Sequence, residues 1–364
     1  MLPNSFRKLS ENHRLHVGFL GGSITEGAGA SDPETRSWRA LTVEWLRERF
    51  PEAAITATNA AIGGTNSTFG ALRLADHLLK DEPDLIFVEY AVNDESDPEG
   101  RILRAMEGIV RHCARVLPET ELIFVYTTRA SWFNSHRIGR PSRAAALHQC
   151  LADFYGIPSV DVGLPLYRKF ERGDATIQDL LPDKVHPSDE GHAIYAATVT
   201  GFLTVQLQRY ATPNDGLPAP LTHCSYDTGC LIDAVDMADT GDGWKTVQET
   251  LCDRHPRYLE ATSPGSRLTL RFQGPLIGVL WMVAEDSGRI RYRVDDGPEQ
   301  VLSSWDEYAL KFRRGVARLL ADRLADGDHT LTLTVDDQPP GESKGTAIRL
   351  AAFLANPAPP KEGS

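Results

Sequence analysis

The sequence predicts an α/β domain with a parallel sheet, followed by an antiparallel β-sandwich domain. Two domains are expected because 364 residues exceed the roughly 150 that one domain usually takes. Up to about residue 208, short apolar runs alternate with segments of helical periodicity. This alternation is typical of βαβ units with helices on both faces of the sheet. Beyond it the apolar residues recur with period 2 between turn signals, which is typical of antiparallel strands.

Apolar runs predict the strands of the first domain, at 15–20, 55–58, 85–90, 122–127 and 157–162. Apolar residues at helical spacing predict helices between them, for example around 72–79 and 102–116. A further helix is predicted over 142–155, because Pro141 precedes it and Gly156 follows it. Ligands bind outside the carboxyl ends of the strands in such sheets, so the site is expected there.

A change of composition separates the two predicted domains. The first is assigned to residues 1–208, and 209–221 is predicted to be a linker because three prolines and an Asn-Asp-Gly turn interrupt any regular pattern. Residues 222–356 are predicted to form the β-sandwich, of a jelly-roll-like kind. Residues 357–364 are predicted to be a flexible tail.

The chain is acidic, with 38 basic against 50 acidic residues and a net charge of −12. This balance gives no general electrostatic reason to bind nucleic acid or an anionic membrane. No run of 18 apolar residues predicts a membrane helix. Five cysteines without CxxC spacing and no visible secretory signal predict a reduced, cytoplasmic protein. A leader removed from the sequence would leave the same pattern.

The first predicted strand runs directly into a glycine-rich segment, GGSITEG at 21–27. A glycine turn between strand and helix either cradles a phosphate on backbone N–H groups or presents a nucleophile without obstruction. The phosphate interpretation is weak, because no Lys follows as in a P-loop and GxGxxG spacing is absent. Ser23 is therefore a candidate nucleophile, with a plain structural turn as the alternative.

Small and amide residues follow the second and third predicted strands, at the edge where ligands are expected. Gly64, in NAAIGGTNS, offers an unobstructed backbone N–H, and Asn93, in AVND, offers a side-chain amide. With the N–H of Ser23 they would form an oxyanion hole of three donors. A turn at the end of a strand is the alternative interpretation of Asn93.

A histidine late in the first domain has the surroundings of a general base. His186 lies just before a helix that Ser188 can cap. Asp183, three residues earlier, can fold back to accept the other ring N–H and so set the tautomer. His192 lies nearby and is expected to be a surface residue or to pack against the helix.

Together these segments resemble the SGNH (GDSL-like) hydrolase family. The blocks occur in the family's order over about residues 15–205, as GGSIT with Ser23, NAAIGG with Gly64, AVND with Asn93, and DKVH with Asp183 and His186. The resemblance implies an ester hydrolase with a three-layer, flavodoxin-like α/β/α core. It also implies roles: Ser23 is the nucleophile, His186 the general base and Asp183 its orienter. Ser23 N–H, Gly64 and Asn93 are the implied oxyanion donors.

Two positions depart from the family pattern. The usual GDS is GGS here, and Ala91 stands where the usual GxND has glycine. Neither change removes an atom that the implied chemistry uses, but each can reshape the pocket.

The implied reaction needs no metal and no cofactor, and the scattered His/Cys pairs lack the spacing of a zinc site. A short-acyl ester is the expected substrate, because no long hydrophobic loop suggests a lipase lid. Family members with an added β-sandwich further suggest O-acetyl groups on a carbohydrate. Trp305 and Tyr308 in the second domain are candidate sugar-stacking residues, with packing as the alternative. An acyltransferase, a non-catalytic carbohydrate-binding protein and homo-oligomerisation stay open.

Overall fold

The structure, a computed structural model, describes residues 2–207, 216–251 and 254–357. By its internal contacts the chain divides into two units, Met1–Asp227 and Thr228–Ser364. Within the described part of the chain, no helix is both long and apolar enough to cross a membrane.

The first unit alternates strands and helices, as its sequence predicts. Its strands are β1 (Arg14–Gly21), β2 (Ala54–Asn59), β3 (Leu85–Glu89), β4 (Glu121–Tyr126) and β5 (Ser159–Asp161). Its α-helices are α1 (Pro3–Ser10), α2 (Ser23–Glu26), α3 (Pro33–Arg36), α4 (Trp38–Arg49), α5 (Ser67–Leu72), α6 (Leu74–His77), α7 (Ala91–Asp94), α8 (Glu99–Val116), α9 (Phe133–Arg137), α10 (Arg143–Tyr155), α11 (Gly163–Glu171), α12 (Ile177–Leu180) and α13 (Asp189–Gln206). Short 3₁₀ turns lie at Leu79–Asp81 and Ala130–Trp132.

All five strands of this unit are parallel and lie in the order β2-β1-β3-β4-β5. This is the flavodoxin-like order, and it confirms the predicted fold class. The strand order reverses between β1 and β3, and ligands of such sheets bind at the carboxyl ends beside that reversal. The segments after β1 and β3 carry Ser23 and Asn93, so the topology brings these two candidates to one place.

Aromatic rings fill the core directly below that edge. Phe19 of β1 and Phe87 of β3 stack with their centroids 5.2 Å apart. Trp38 at the start of α4 meets both edge-on, at 5.4 and 5.8 Å. All three are at most 1% exposed. Stacked and edge-on rings pack densely and with defined geometry. The end of β1, from which the glycine turn begins, is therefore tightly packed.

Local signals predict some elements better than others. Helix α10 begins after Ser142, whose hydroxyl caps it, and ends at Gly156 with a φ of 67°, as the sequence predicts. The apolar pattern around 72–79 instead forms α5, α6 and a 3₁₀ turn, because Arg73 takes a non-helical conformation between the two short helices. Helix α1 was not predicted.

The second unit consists mainly of antiparallel strands. They are β6 (Cys230–Asp233), β7 (Asp239–Thr240), β8 (Trp244–Val247), β9 (Tyr258–Ala261), β10 (Arg267–Gln273), β11 (Leu276–Val283), β12 (Arg289–Val294), β13 (Gln300–Ser303), β14 (Arg314–Asp322), β15 (Asp328–Val335) and β16 (Ile348–Ala355). Helix α14 (Ala234–Met237) and a 3₁₀ turn at Glu307–Leu310 complete the described elements.

Two sheets make up this unit, in the orders β13-β12-β15-β10-β7 and β14-β11-β16-β9-β8, with β6 pairing to β16. Their inward side chains form one core, to which Leu270 and Leu331 contribute from one sheet and Trp281 and Phe353 from the other. The second domain is β-rich, which confirms the prediction from the period-2 alternation. Trp281 is fully buried, as its place in the period-2 pattern of β11 predicts.

Parts of the predicted linker and tail lie outside the described residues, namely 209–215 and 358–364. The described end of the linker is fastened to the first unit. Backbone N–H groups of Leu221 and Thr222 donate to the Glu107 carboxylate of α8, at 2.5 and 2.8 Å. The limits at 208 and 222 stay a prediction.

Candidate active site

Ser23 is the first residue of α2, and the two glycines before it give it room. A β-carbon at Gly21 would lie 2.6 Å from Thr25 Oγ1, and one at Gly22 would lie 2.3 Å from Asn93 Oδ1. Both distances are shorter than those that real β-carbons show, so a side chain at either position would have to displace Thr25 or Asn93. The second contact also shows that Asn93 lies directly against the backbone that precedes Ser23.

Ser23, His186 and Asp183 form a continuous hydrogen-bonded chain. Ser23 Oγ lies 2.8 Å from His186 Nε2, and His186 Nδ1 lies 2.6 Å from Asp183 Oδ2. A carboxylate at Nδ1 favours the tautomer that carries its proton there, which leaves Nε2 free to accept the serine proton. The structure therefore brings together the three residues that the sequence analysis singled out.

The backbone between Asp183 and His186 sets this geometry. Lys184 has a φ of 72°, a left-handed conformation that non-glycine residues rarely adopt. The turn lets Asp183 Oδ1 accept the backbone N–H groups of Val185 and His186, at 2.9 and 2.7 Å. Partial burial acts to raise the pKa of Asp183, but the hydrogen bonds from His186 and these N–H groups outweigh it, so the pKa lies below its ordinary value.

Neighbouring elements hold this turn in place. The N–H of Ala130 donates to the carbonyl of Lys184 at 2.9 Å, and the N–H of Ser188 donates to the carbonyl of Leu180 at 3.0 Å. Ser188 caps α13 by accepting the N–H of Gly191, as predicted. His186 is thus held between the segment that follows β4 and the capped start of α13.

Gly64 lies on the other side of Ser23, in the loop after β2. Its φ is 70°, and a β-carbon there would meet no atom within 4 Å. Gly63 has less free space around it, because a β-carbon added there would lie 3.5 Å from Ser23 Cβ. Within the described residues, neither the Gly64 N–H nor the Asn93 side chain has a hydrogen-bond partner. Both groups, with the N–H of Ser23 at a helix start, are available to an incoming acceptor.

The residue after Asn93 is structural. Asp94 is fully buried; its Oδ2 lies 2.8 Å from His148 Nε2, and its Oδ1 accepts the N–H of Ser67 at 2.8 Å. This pair ties α7, which carries Asn93, to α10 and α5. No local pattern in the sequence indicates this pair, since the two partners lie 54 positions apart.

A second buried carboxyl lies beneath the serine turn. Glu89, the last residue of β3, is fully buried and accepts the hydroxyls of Thr25 at 2.9 Å and Thr127 at 2.7 Å. Burial raises the pKa of Glu89, and the bonds from Thr127 and Thr25 counteract only part of this effect. The sequence contains one sign of this buried acid, because Glu89 is the only charged residue in the apolar run LIFVE and stands at its end.

His192 is buried in α13 rather than lying at the surface, so the surface alternative is wrong. Its Nδ1 accepts the N–H of Trp38 and its Nε2 donates to the carbonyl of Ala28, both at 3.2 Å. Burial lowers the pKa of His192 to about 4, so the ring is neutral. It anchors the segment that follows α2.

The two aromatic residues predicted to bind sugar belong to the second unit. Trp305 is half-buried against that unit's core, and a β-carbon at Gly341 would lie 2.8 Å from its ring. Tyr308 is 49% exposed, with Lys311 Nζ 5.6 Å and Arg314 Cζ 5.4 Å from its ring centre. Trp305 therefore packs within its own unit, whereas Tyr308 presents an accessible ring; a sugar-binding role for either residue stays a prediction.

A half-buried aromatic residue of the first unit lies close in the sequence to a residue that contacts the histidine turn. Trp132 is two residues from Ala130, whose N–H binds the Lys184 carbonyl beside Asp183. The Arg129 guanidinium lies 5.9 Å from its ring centre. Trp132 was not predicted as a candidate, because the contact between this loop and the histidine turn joins segments that are distant in the sequence.

Comparison with known proteins agrees with this architecture. Residues 19–194 match the GDSL-like lipase/acylhydrolase family. The first domain belongs to that family. This confirms the resemblance read from the sequence, and it identifies the chain as a carboxylic ester hydrolase. The acylhydrolase match spans every candidate residue of the first unit.

Solved structures resemble the whole chain. A two-domain esterase (CEX) active on acetylated mannans gives a TM-score of 0.84 at 23% identity, covering 98% of this chain and 96% of that chain. Such an esterase co-crystallized with mannopentaose gives 0.82 at 24%, covering 97% and 94%. At these identities the likeness shows a shared fold for the acylhydrolase domain and its β-rich neighbour. No curated protein sequence matches the chain.

Proposed function

We propose that the protein is a serine esterase in which Ser23 is the nucleophile, His186 the general base and Asp183 its orienter. The observation that carries the proposal is the hydrogen-bonded chain from Ser23 Oγ through the His186 ring to Asp183, at 2.8 and 2.6 Å, inside an acylhydrolase domain. A serine hydroxyl is a weak nucleophile until an adjacent base takes its proton, and this arrangement supplies the base.

The reaction then proceeds through an acyl-enzyme. His186 takes the proton as Ser23 Oγ attacks the ester carbonyl, and the carbonyl oxygen gains negative charge. Three donors meet that charge, namely the N–H groups of Ser23 and Gly64 and the amide of Asn93. His186 next protonates the leaving alcohol. Water repeats the sequence to release the acid and restore Ser23.

We further propose a short acyl group, acetyl above all, carried by a carbohydrate. The two-domain esterases of the same fold are described as active on acetylated mannans, which supports this choice of substrate class. Two aromatic rings, those of the half-buried Trp132 and the exposed Tyr308, are candidates for stacking against sugar rings, because an aromatic face packs well against apolar C–H groups.

A panel of esters tests the proposal. Wild type and Ser23→Ala are assayed with p-nitrophenyl acetate, butyrate and dodecanoate and with acetylated mannan and xylan, following released acetate. Ser10→Ala, an exposed serine on α1, is the matched control and keeps full activity. Loss of turnover in Ser23→Ala supports the assignment; full turnover in that variant contradicts it.

Labelling and product analysis complete the test. An organophosphonate ester is expected to label Ser23 once, and Ser23→Ala to abolish the label. Adding a polyol to the assay separates hydrolysis from transfer, since both use the same acyl-enzyme. Acetate as the main product supports the esterase; acetylated polyol as the main product identifies an acyltransferase instead.

A further inference from the structure

Glu26 connects the serine turn to the loop that follows β2. It is the last residue of α2, three positions after Ser23, and its side chain is exposed. Its Oε2 accepts the backbone N–H of Gly63 at 3.0 Å. A β-carbon at Gly63 would lie 2.8 Å from the same oxygen, so the carboxylate packs directly on that glycine. The reaction described above does not use this contact.

The loop in question, residues 62–65, needs such a restraint. Its two glycines have more backbone freedom than any other residue pair, and Gly64 has no packing where a side chain would stand. Upstream, the N–H of Ile62 donates to the carbonyl of Gly21 at 3.1 Å. Downstream, Thr65 Oγ1 donates to the carbonyl of Ile62 at 2.7 Å. Between them, Glu26 holds the middle of the loop.

The position of this bond determines which group it steadies. Glu26 fixes the N–H of Gly63, and only the two backbone torsions of Gly63 separate that amide from the N–H of Gly64. Because Glu26 and Ser23 share one helical turn, any movement of the nucleophile carries the restraint with it. Fixing the Gly63 amide therefore limits the positions that the Gly64 N–H can take.

We propose that Glu26 is a positioning residue that holds loop 62–65 so that the Gly64 N–H meets the developing oxyanion. The inference rests on the proposed function of Gly64 as an oxyanion donor. Glu26 acts as a hydrogen-bond acceptor, and its charge is not required. The effect is on the transition state, because the oxyanion exists only there.

Three substitutions separate the hydrogen bond from the charge. Glu26→Ala removes the acceptor, and a donor displaced by about 1 Å lowers kcat by about 10- to 100-fold, with KM changed less than about threefold since substrate binding does not use the oxyanion. Glu26→Gln keeps an oxygen acceptor at the same length and restores kcat. Glu26→Asp is one methylene shorter and gives an intermediate kcat. Inactivation by a phosphonate, which mimics the tetrahedral state, slows in parallel with kcat.

Controls separate failure of this inference from failure of the proposed function. Glu52→Ala removes an exposed acid in the turn before β2 and leaves kcat unchanged. Thermal unfolding of each variant identifies any loss of folded protein. If Glu26→Ala keeps wild-type kcat while Ser23→Ala and Asn93→Ala are inactive, the positioning inference is wrong and the proposed function stands. If Glu26→Gln is as slow as Glu26→Ala, the charge is what matters and the inference is also overturned. Full activity in Ser23→Ala overturns both.

Discussion

Acid is expected to destabilise the first unit through His192. Its ring is fully buried between Trp38 and Ala28, and burial lowers its pKa to about 4. In the unfolded chain the same group titrates near about 6.5. Between these two pH values the unfolded chain binds a proton that the folded chain does not. The free energy of unfolding therefore falls as the pH drops from about 6.5 to about 4.

The magnitude follows from the two pKa values. A pKa of about 4 in the folded chain against about 6.5 unfolded corresponds to about 3 kcal/mol, since one pKa unit is worth about 1.4 kcal/mol. That is a large share of a typical unfolding free energy of about 5–15 kcal/mol. The full loss of about 3 kcal/mol is reached only once the pH has fallen to the pKa of His192 in the folded chain.

A non-titrating replacement isolates this effect. Urea unfolding of wild type and His192→Gln is followed at pH 7, 6, 5 and 4, and the difference between the two proteins is taken at each pH. Glutamine can donate to the Ala28 carbonyl but gains no proton, so the variant, less stable at pH 7, is expected to recover about 3 kcal/mol relative to wild type by pH 4. The second unit is the same in both and cancels.

A titration gives the direct check. His223→Gln replaces an exposed histidine of the same unit and serves as the matched control in the unfolding experiment. In an NMR titration the His192 ring is expected to stay neutral down to about pH 5. A ring that titrates near pH 6.5, or equal pH slopes for wild type and His192→Gln, would refute the reasoning.

The remaining predictions concern the reaction and its supports. Ser23→Ala and His186→Ala are each expected to lower kcat by at least about 10³-fold, with the double variant little worse than either, because the two act as a unit; additive losses would contradict this. Asp183→Asn is expected to lower kcat while preserving the fold, because asparagine can stabilise the wrong tautomer of His186; unchanged kcat would contradict it. Acetyl and butyryl esters are expected to exceed dodecanoyl esters in kcat/KM, and the reverse order would exclude a short-acyl site. His148→Ala removes the hydrogen-bond partner of the buried Asp94 Oδ2, leaving that carboxylate with the Ser67 N–H at Oδ1, and is expected to cost about 1–3 kcal/mol of unfolding free energy in urea; an unchanged free energy of unfolding would contradict this.

Local patterns predicted the parts of the fold that local forces decide. The change from helical to period-2 alternation between the two domains, the strand-to-turn junction at Ser23 and the cap at Ser188 are short-range features, and each could be read from a few residues. The Asp183–His186 spacing was equally local, since a turn of three residues sets it. These are the features for which sequence and structure agree most closely.

Contacts between distant segments could not be predicted in this way. The sequence placed Glu89 in a strand but gave no sign that Thr25 and Thr127 would meet its carboxyl. The loop that carries Trp132 reaches the histidine turn through the bond from the Ala130 N–H to the Lys184 carbonyl, which joins segments far apart in the sequence. The choice of Trp305 as a sugar-stacking residue rested on its place in a loop, whereas its ring packs on Gly341.

The bond between Ser23 and His186 joins residues 163 positions apart, and the bonds from Ser31 to Asp189 and from Trp38 to His192 span 158 and 154 positions. Closing so long a loop is entropically costly and slow compared with forming helices. Regain of esterase activity on dilution from denaturant is therefore expected to lag behind regain of helical signal. During synthesis, no activity is expected until α13 has left the ribosome and docked against α4. A nascent chain that lacks α13 is therefore expected to have no esterase activity.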